Sequence, residues 1–134
     1  SEIEIELQWF DKPACRLPEA TWFSFAPPVS TAAAWQIHKL GRNISPLEVV
    51  ANGNRHLHAC GQGVSCTDGS RTMVITALDS PLVAPGEPAL LNFTNDQPDQ
   101  TRGMHFNLHN NLWGTNFPMW FEEDCRFRFK LAFQ

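Results

Sequence analysis

The clearest structural signal lies in residues 126–133, Arg-Phe-Arg-Phe-Lys-Leu-Ala-Phe, where an apolar side chain recurs at every second position. Successive side chains of a β-strand point to opposite faces, so the phenylalanines and Leu131 share one face, while the arginines and Lys130 share the other. The segment therefore predicts an antiparallel strand with one buried face and one solvated face.

The N-terminal segment alternates in the same way, because glutamates and a glutamine separate its apolar residues Ile3, Ile5, Leu7 and Trp9. Shorter strands are predicted at residues 21–25, 35–40, 55–60, 64–67, 71–78, 89–93 and 104–110. The ten prolines and eight glycines of the chain fall between these segments. They recur at intervals of about 8–12 residues, a spacing typical of all-β sandwiches and barrels.

Two glycine-containing turns connect neighbouring predicted strands. Asp68-Gly69 is the stronger hairpin signal, since this dipeptide suits the tight two-residue turns of antiparallel pairs. Gly61-Gln62-Gly63 predicts a second hairpin, which would join residues 55–60 to residues 64–67.

The remaining segments contain little that favours helix. Residues 31–40 are the one stretch compatible with a helix, but Trp35, Ile37 and the following Gly41 fit a strand better. Residues 92–102 are polar and predict a long surface loop. The sequence thus predicts one all-β domain over residues 1–134, an antiparallel two-sheet β-sandwich.

Composition excludes several classes of function. The chain has 134 residues, of which 18% are charged and 11% aromatic, and this is unlike a disordered tail. Its net charge of −4 argues against nucleic acid or an anionic membrane surface as a partner. The apolar runs are far shorter than the ~20 residues of a transmembrane helix.

The four cysteines, Cys15, Cys60, Cys66 and Cys125, are scattered and form no close pair of the kind found in zinc ribbons. A disulfide framework is one interpretation, and buried free thiols are the favoured one. Free thiols in turn predict a cytoplasmic protein.

Histidines provide one candidate for chemistry. His56 and His58 are two residues apart, and His105 and His109 are four apart, so each pair shares a face if its segment is a strand. Two such pairs on facing strands would supply imidazole ligands for a metal ion. The competing interpretation, which is favoured, is that they form hydrogen bonds within a polar core or groove.

Residues 105–120 provide a second candidate, because Asn, His and Trp are unusually dense there. Asparagine amides offer donors and an acceptor to sugar hydroxyls, and a tryptophan ring stacks on the apolar side of a pyranose. The alternative is structural, since asparagines satisfy backbone groups in loops and tryptophans fill the ends of sandwiches.

Carboxylates provide a third candidate. Glycoside hydrolysis needs two carboxylates about 5–10 Å apart, and Asp79 and the run Glu122-Glu123-Asp124 are the available acids. An acidic run before a strand more often marks a solvated turn. The sequence therefore assigns no catalytic residue.

Several of these stretches resemble a known family. Residues 16–25, 52–59, 78–86 and above all 107–120, with its Asn-Asn-Leu-Trp-Gly-Thr-Asn-Phe core, resemble the C-terminal β region of glycoside hydrolase family 38-like proteins. This α-mannosidase-related group includes a poorly characterised subgroup that the chain resembles most. The resemblance implies a galactose-mutarotase-like sandwich of the kind that follows the catalytic barrel of those enzymes.

In that family the metal ion and the nucleophile belong to the barrel, which this chain does not contain. No catalytic residue and no cofactor are therefore carried over. By analogy with loops that reach the cleft, one wall of a sugar site is assigned to His105, Asn110, Asn111, Trp113, Thr115, Asn116 and Trp120.

The sequence thus predicts a non-catalytic carbohydrate-binding or accessory β domain. Its expected partner is a carbohydrate or a catalytic barrel outside this chain. One alternative is a small metal-dependent hydrolase that uses His56, His58 and His105, together with Asp79. Another is a structural module that covers its surplus of Trp and Phe by forming a homodimer.

Overall fold

A computed structural model describes residues 1–112 and 120–134. Within these residues the strands are β1 (Glu2–Lys12), β2 (Ala20–Phe25), β3 (Trp35–Lys39), β4 (Arg42–Ile44), β5 (His58–Ala59), β6 (Gly63–Asp68), β7 (Arg71–Ala77), β8 (Leu82–Pro85), β9 (Met104–Asn110) and β10 (Glu123–Phe133). Short 3₁₀ helices cover Ala32–Ala34 and Gln100–Arg102. None of the helices in the described part of the chain is long and apolar enough to cross a membrane.

The strands form two antiparallel sheets that pack as a sandwich. The six-stranded sheet has the order β1-β10-β7-β6-β3-β4, and the four-stranded sheet has the order β2-β9-β8-β5. The two segments of clearest alternation, β1 and β10, pair along most of their length, with Ile5 opposite Phe129. The predicted all-β, antiparallel two-sheet sandwich is confirmed.

Aromatic side chains from both sheets meet in the core. The ring of Phe129 on β10 lies 5.3 Å from Phe23, 5.5 Å from Phe25 and 5.3 Å from Phe106, measured between ring centroids. These three partners belong to β2 and β9 of the opposite sheet. Trp35 is fully buried beside them, and its indole N–H donates to the backbone oxygen of Gln100. Tilted and edge-on rings at these distances add to the free energy gained from burial alone.

The hairpin predicted at Asp68-Gly69 is present. Asp68 pairs with Arg71, so Gly69 and Ser70 form a two-residue loop. Gly69 has a φ of 62°, the left-handed conformation that such a turn requires.

The prediction of a hairpin at Gly61-Gln62-Gly63 is wrong. The strand before it, β5, belongs to the four-stranded sheet, and the strand after it, β6, belongs to the six-stranded sheet. The segment therefore carries the chain from one sheet to the other. Gly63 has a φ of 131°, and a Cβ there would lie only 2.0 Å from the carbonyl oxygen of Ile75, so the crossing requires glycine.

Two predicted strands also need correction. Only His58–Ala59 of residues 55–60 is a strand, because the side-chain oxygen of Asn54 accepts from the backbone N–H groups of His56 and Leu57 and turns the chain there. Residues 89–93 form no strand.

Leu82–Pro85, which was not predicted as a strand, pairs with β9 on the side opposite to β2. Its flanking prolines had the appearance of turn residues in the sequence. The short strand Arg42–Ile44 was likewise not predicted.

All four cysteines are free thiols, as the sequence predicted. Cys60 and Cys66 are buried, whereas Cys15 and Cys125 are partly exposed. Burial raises the pKa of the Cys60 thiol to about 11. At neutral pH this thiol is therefore protonated and a poor nucleophile.

The contacts of Phe129 predict a large difference between two phenylalanines of β10. Phe129→Ala removes a fully buried ring and should lower the free energy of unfolding by about 3–5 kcal/mol. Phe133→Ala, on the same strand and 44% exposed, should cost less than about 1 kcal/mol. Urea denaturation of both variants measures the difference, and equal losses would contradict the packing described here.

Candidate functional site

The predicted sugar-site residues that the structure describes lie on β9 and the segments next to it. His105 and Asn110 are in β9, Asn111 follows directly, and Trp120 precedes β10. Trp113, Thr115 and Asn116 lie outside the described residues. We therefore consider each described side chain by its contacts.

Asn111 joins β9 to the loop between β1 and β2. Its side-chain oxygen accepts from the backbone N–H of Glu19 at 2.6 Å, and its amide nitrogen donates to the carbonyl oxygens of Cys15 and Leu17, each at 2.9 Å. These three hydrogen bonds use the donors and the acceptor of the amide. Asn111 consequently shapes the loop and has little capacity left for a ligand.

Asn107 and Asn110 are also engaged with each other. The Asn110 amide donates to the side-chain oxygen of Asn107 at 2.8 Å. The Asn107 amide in turn lies 3.3 Å from the backbone oxygens of Thr21 and His109. Asn107 thus satisfies backbone groups at an irregularity between β2 and β9, and Asn110 bonds to the Asn107 side chain. This is the structural alternative considered for this segment.

That irregularity separates His105 from His109. Thr21 pairs with His109 and its neighbour Trp22 pairs with Asn107, so β9 contains one extra residue at this point. The insertion breaks the two-residue alternation, and the prediction that His105 and His109 share a face is therefore wrong.

The two histidines accordingly have different surroundings. His105 is buried, and its Nδ1 lies 2.7 Å from the hydroxyl of Ser24. The Nδ1 atom of His109 lies 3.7 Å from a carboxylate oxygen of Glu19. Burial lowers the pKa of both imidazoles below the usual value.

A buried lysine organises the polar cluster around His109. Lys12 is only 3% exposed, and its ammonium donates to Glu19 at 2.6 Å and to the backbone oxygen of Pro13 at 3.1 Å. The ammonium also lies 5.2 Å from the ring of Trp9. The glutamate thus neutralises a charge that would be costly to bury alone.

Among the predicted sugar-site residues that the structure describes, Trp120 is the exposed one, with 45% of its surface accessible. The guanidinium of Arg16 lies 4.4 Å from its ring centroid, a cation–π contact. An exposed indole next to a cation remains available as a stacking surface for a ligand.

The four histidines proposed as metal ligands are not brought together. His56 contacts the Thr94 hydroxyl at 3.1 Å, His58 is on β5, and the other two are separated as described above. Among residues 1–112 and 120–134, no three His, Cys, Asp or Glu side chains are grouped so as to hold a metal ion.

Two of the acids proposed for glycoside hydrolysis, Asp79 and Asp124, have structural partners. Asp79 accepts two hydrogen bonds from the Arg128 guanidinium, each at 2.9 Å, and this contact holds the pKa of Asp79 below its usual value. Asp124 accepts from the backbone N–H of Asp11 at 2.8 Å. The lowered pKa makes Asp79 a poor proton donor at neutral pH.

A different surface has the properties of a binding site. The outer side of the six-stranded sheet contains a depression of about 550 Å³ over strands β3, β4, β6 and β7. We call this surface the neutral face. Its polar lining consists of Gln36, His38, Asn43, Gln62, Ser65, Thr67, Thr72, Thr76 and Gln134.

The register of the strands produces the neutral face. Gln36 pairs with Ser65, and Ser65 pairs with Val74, so these three side chains form a row across the sheet. Thr76 pairs with Gly63, which contributes no side chain to this face.

Most polar groups of the neutral face have no partner. Thr67 and Thr72 bond to each other at 3.0 Å. Within the described part of the chain, no hydrogen bond engages the side chains of Gln36, Asn43, Gln62, Ser65, Thr76 or Gln134. Amides and hydroxyls are therefore available to a ligand, and the described residues of the lining include no Asp, Glu, Lys or Arg.

The other half of the same sheet face differs, because its charges pair with each other. Lys130 on β10 lies 2.7 Å from Glu4 on β1 and 3.8 Å from Glu2. These contacts lower the pKa of Glu4 and raise the pKa of Lys130. The sheet face is thus divided into a paired, charged half and an unpaired, neutral half.

Sequence reasoning missed the neutral face, although a signal was present. The outward positions of β3, β6 and β7 are occupied by amides, hydroxyls and an imidazole, whereas those of β1 and β10 are charged. These residues form one surface only because β3, β6 and β7 are neighbours in the sheet, and the sequence alone does not show that they are.

Comparisons with known proteins add no assignment. No protein-family model, no curated protein and no solved structure matches the chain.

The hydrogen bonds of Asn111 predict a structural role. Asn111→Ala leaves the Glu19 N–H and two loop carbonyls without their partner, and should cost about 1–3 kcal/mol of stability. Amide hydrogen exchange at Glu19 should also accelerate. Asn43→Ala, which removes an unpartnered exposed amide, is the control and should change neither quantity. Unchanged stability of the Asn111 variant would show that the three hydrogen bonds between Asn111 and the loop after β1 do not form.

Burial predicts that two similar ion pairs differ in strength. Glu19→Gln weakens the partner of a buried ammonium, and the full loss of such a partner costs about 3–5 kcal/mol. Glu4→Gln removes the charge from an ion pair of nearly equal length at the exposed surface, where solvent screens the charges and a much smaller loss of stability is expected. Chemical denaturation compares the two variants, and a smaller loss for Glu19→Gln would refute the inferred role of Lys12.

Proposed function

We propose that the chain is a non-catalytic carbohydrate-binding β-sandwich domain whose neutral face binds an uncharged sugar. The observation that carries the proposal is the depression of about 550 Å³ lined by unpartnered amides and hydroxyls. Its volume falls within the ~300–1,000 Å³ typical of small-molecule sites.

The chemistry of the lining favours sugar hydroxyls. Each hydroxyl both donates and accepts a hydrogen bond, and the Gln36 amide and the Ser65 and Thr76 hydroxyls offer both functions. Val74 adds an apolar contact for the C–H side of a ring. Because the described residues of the lining include no Lys or Arg, a phosphate or carboxylate would lose its hydration there without a cationic partner. An uncharged mono- or short oligosaccharide is thus the best match.

The accessory role rests on the family resemblance of the sequence. A sandwich that resembles the C-terminal β region of family 38-like glycoside hydrolases would act beside a catalytic barrel supplied by another segment or chain. Trp120 and Arg16 would then offer a second contact for carbohydrate or barrel. The free thiols support a cytoplasmic location as part of the same proposal.

Calorimetric titration with mannose and short mannosides tests the proposal. The unmodified chain should bind at least one of them, and Gln36→Ala and Thr76→Val should each weaken binding about three- to tenfold, the worth of one hydrogen bond. The matched control is Gln8→Ala, since Gln8 is an exposed glutamine on the charged half of the same sheet.

The outcomes separate the two possible surfaces. If Trp120→Ala abolishes binding while Gln36→Ala and Thr76→Val leave it unchanged, the sugar binds at the predicted end of β9 and the neutral face is not the site. If no neutral sugar binds, the proposed function is wrong.

A further inference from the structure

A second cavity lies on the opposite side of the β3–β4 hairpin from the neutral face. It has a volume of about 290 Å³ and lies between this hairpin, residues 45–54 and His58. We call it the hairpin pocket. Its aliphatic lining consists of Ile37, Leu40, Ile44, Pro46, Val49 and Val50.

Two apolar side chains at the opening of the hairpin pocket are exposed to solvent and are not part of the core. Leu40 is 99% exposed and Val50 is 79% exposed. Leu40 also has a φ of 49°, in a two-residue turn with Gly41 where Asn or Gly is the usual choice. A leucine at this position contributes nothing to the core and is suited to cover an apolar molecule in the pocket.

The same pocket contains a cation without a counterion. Lys39 follows Ile37 by two residues on β3, so it lies on the inner side of the strand, and it lines the cavity. Its cross-strand neighbour is Arg42, a like charge. Within the described residues, no carboxylate lies within ion-pair distance of either side chain, although Glu48 is part of the lining.

The positive charge of Lys39 lowers the pKa values of two neighbouring groups, His58 and Cys60. Burial lowers the pKa of His58 to about 4, and the positive charge of Lys39 is the second cause. Lys39 also lowers the pKa of Cys60, although burial dominates there. At neutral pH His58 is therefore uncharged, and the positive potential of the pocket comes from the hairpin.

We propose that the hairpin pocket binds a small monocarboxylate with an apolar tail. The ammonium of Lys39 pairs with the carboxylate, and the aliphatic lining and the exposed Leu40 and Val50 cover the tail. The Lys39 ammonium lies next to Arg42, which also lacks a carboxylate partner, so the two positive charges favour an anion. The cavity volume restricts the apolar tail to a few carbons. This site is independent of the sugar site on the neutral face.

Titration monitored by ¹H–¹⁵N NMR tests this proposal with hexanoate as the probe. Hexanoate should shift the amides of Lys39, Leu40, Val50 and His58, and hexan-1-ol should bind roughly ten- to a hundredfold more weakly because it lacks the charge-assisted contact. Hexylammonium should bind least, since it repels Lys39 and Arg42.

Two variants distinguish the contact of Lys39 with the carboxylate from the contacts of the pocket with the apolar tail. Lys39→Met should reduce hexanoate affinity to that of hexan-1-ol, whereas Lys130→Met, at an ion-paired surface lysine, should leave it unchanged. Val50→Ser should weaken the acid and the alcohol equally.

Three results would overturn the proposal: no shifts in the pocket at tens of millimolar hexanoate, equal affinity for acid and alcohol, or tighter binding of hexylammonium through Glu48. Mannoside binding by the same variants should not change, so failure here is distinguishable from failure of the proposed function.

Discussion

The contact between Phe129 and three phenylalanines of the opposite sheet is the constraint on which the rest of the structure depends. Phe23, Phe25 and Phe106 close over one ring of β10, and this fixes which side of each strand faces inward. A shift of register by one residue would turn every outward side chain into the core. Because packing is satisfied on the inner side, the outer positions are free to carry other chemistry.

The two outer halves of the six-stranded sheet use that freedom differently. On β10, Lys130 pairs with Glu4 of β1, and Arg128 pairs with Asp79, which follows β7. On β3, β6 and β7, amides and hydroxyls without hydrogen-bond partners line a depression. The first arrangement serves solubility and edge protection, and the second leaves polar groups available for a ligand.

The asparagine-rich segment illustrates why residue type alone does not show which amides are free to bind a ligand. Asn110 and Asn111 were predicted to bind a sugar, but the Asn110 amide bonds to Asn107 at the irregularity in β9, and the Asn111 amide bonds to the loop after β1. Such backbone-satisfying roles depend on the register between strands distant in sequence. The sequence pattern was sufficient to predict the sandwich, the strands at both ends and the Asp68-Gly69 hairpin, because these follow from local alternation and turn chemistry.

Sheet membership could not be predicted in that way. Gly61-Gln62-Gly63 has the composition of a hairpin, but it crosses between sheets because β5 and β6 have different neighbours. The neutral face has the same origin, since Gln36, Ser65 and Thr76 are unremarkable until β3, β6 and β7 become adjacent. Long-range pairing, not local propensity, creates this surface.

Chemical-shift mapping of backbone amides during titration with a mannoside tests the central claim most directly. The account predicts that the largest changes fall on residues of β3, β6 and β7 around Gly63, with no change on the charged strands β1 and β10. Changes confined to residues near Asn111 and Trp120, or no changes at all, would contradict it.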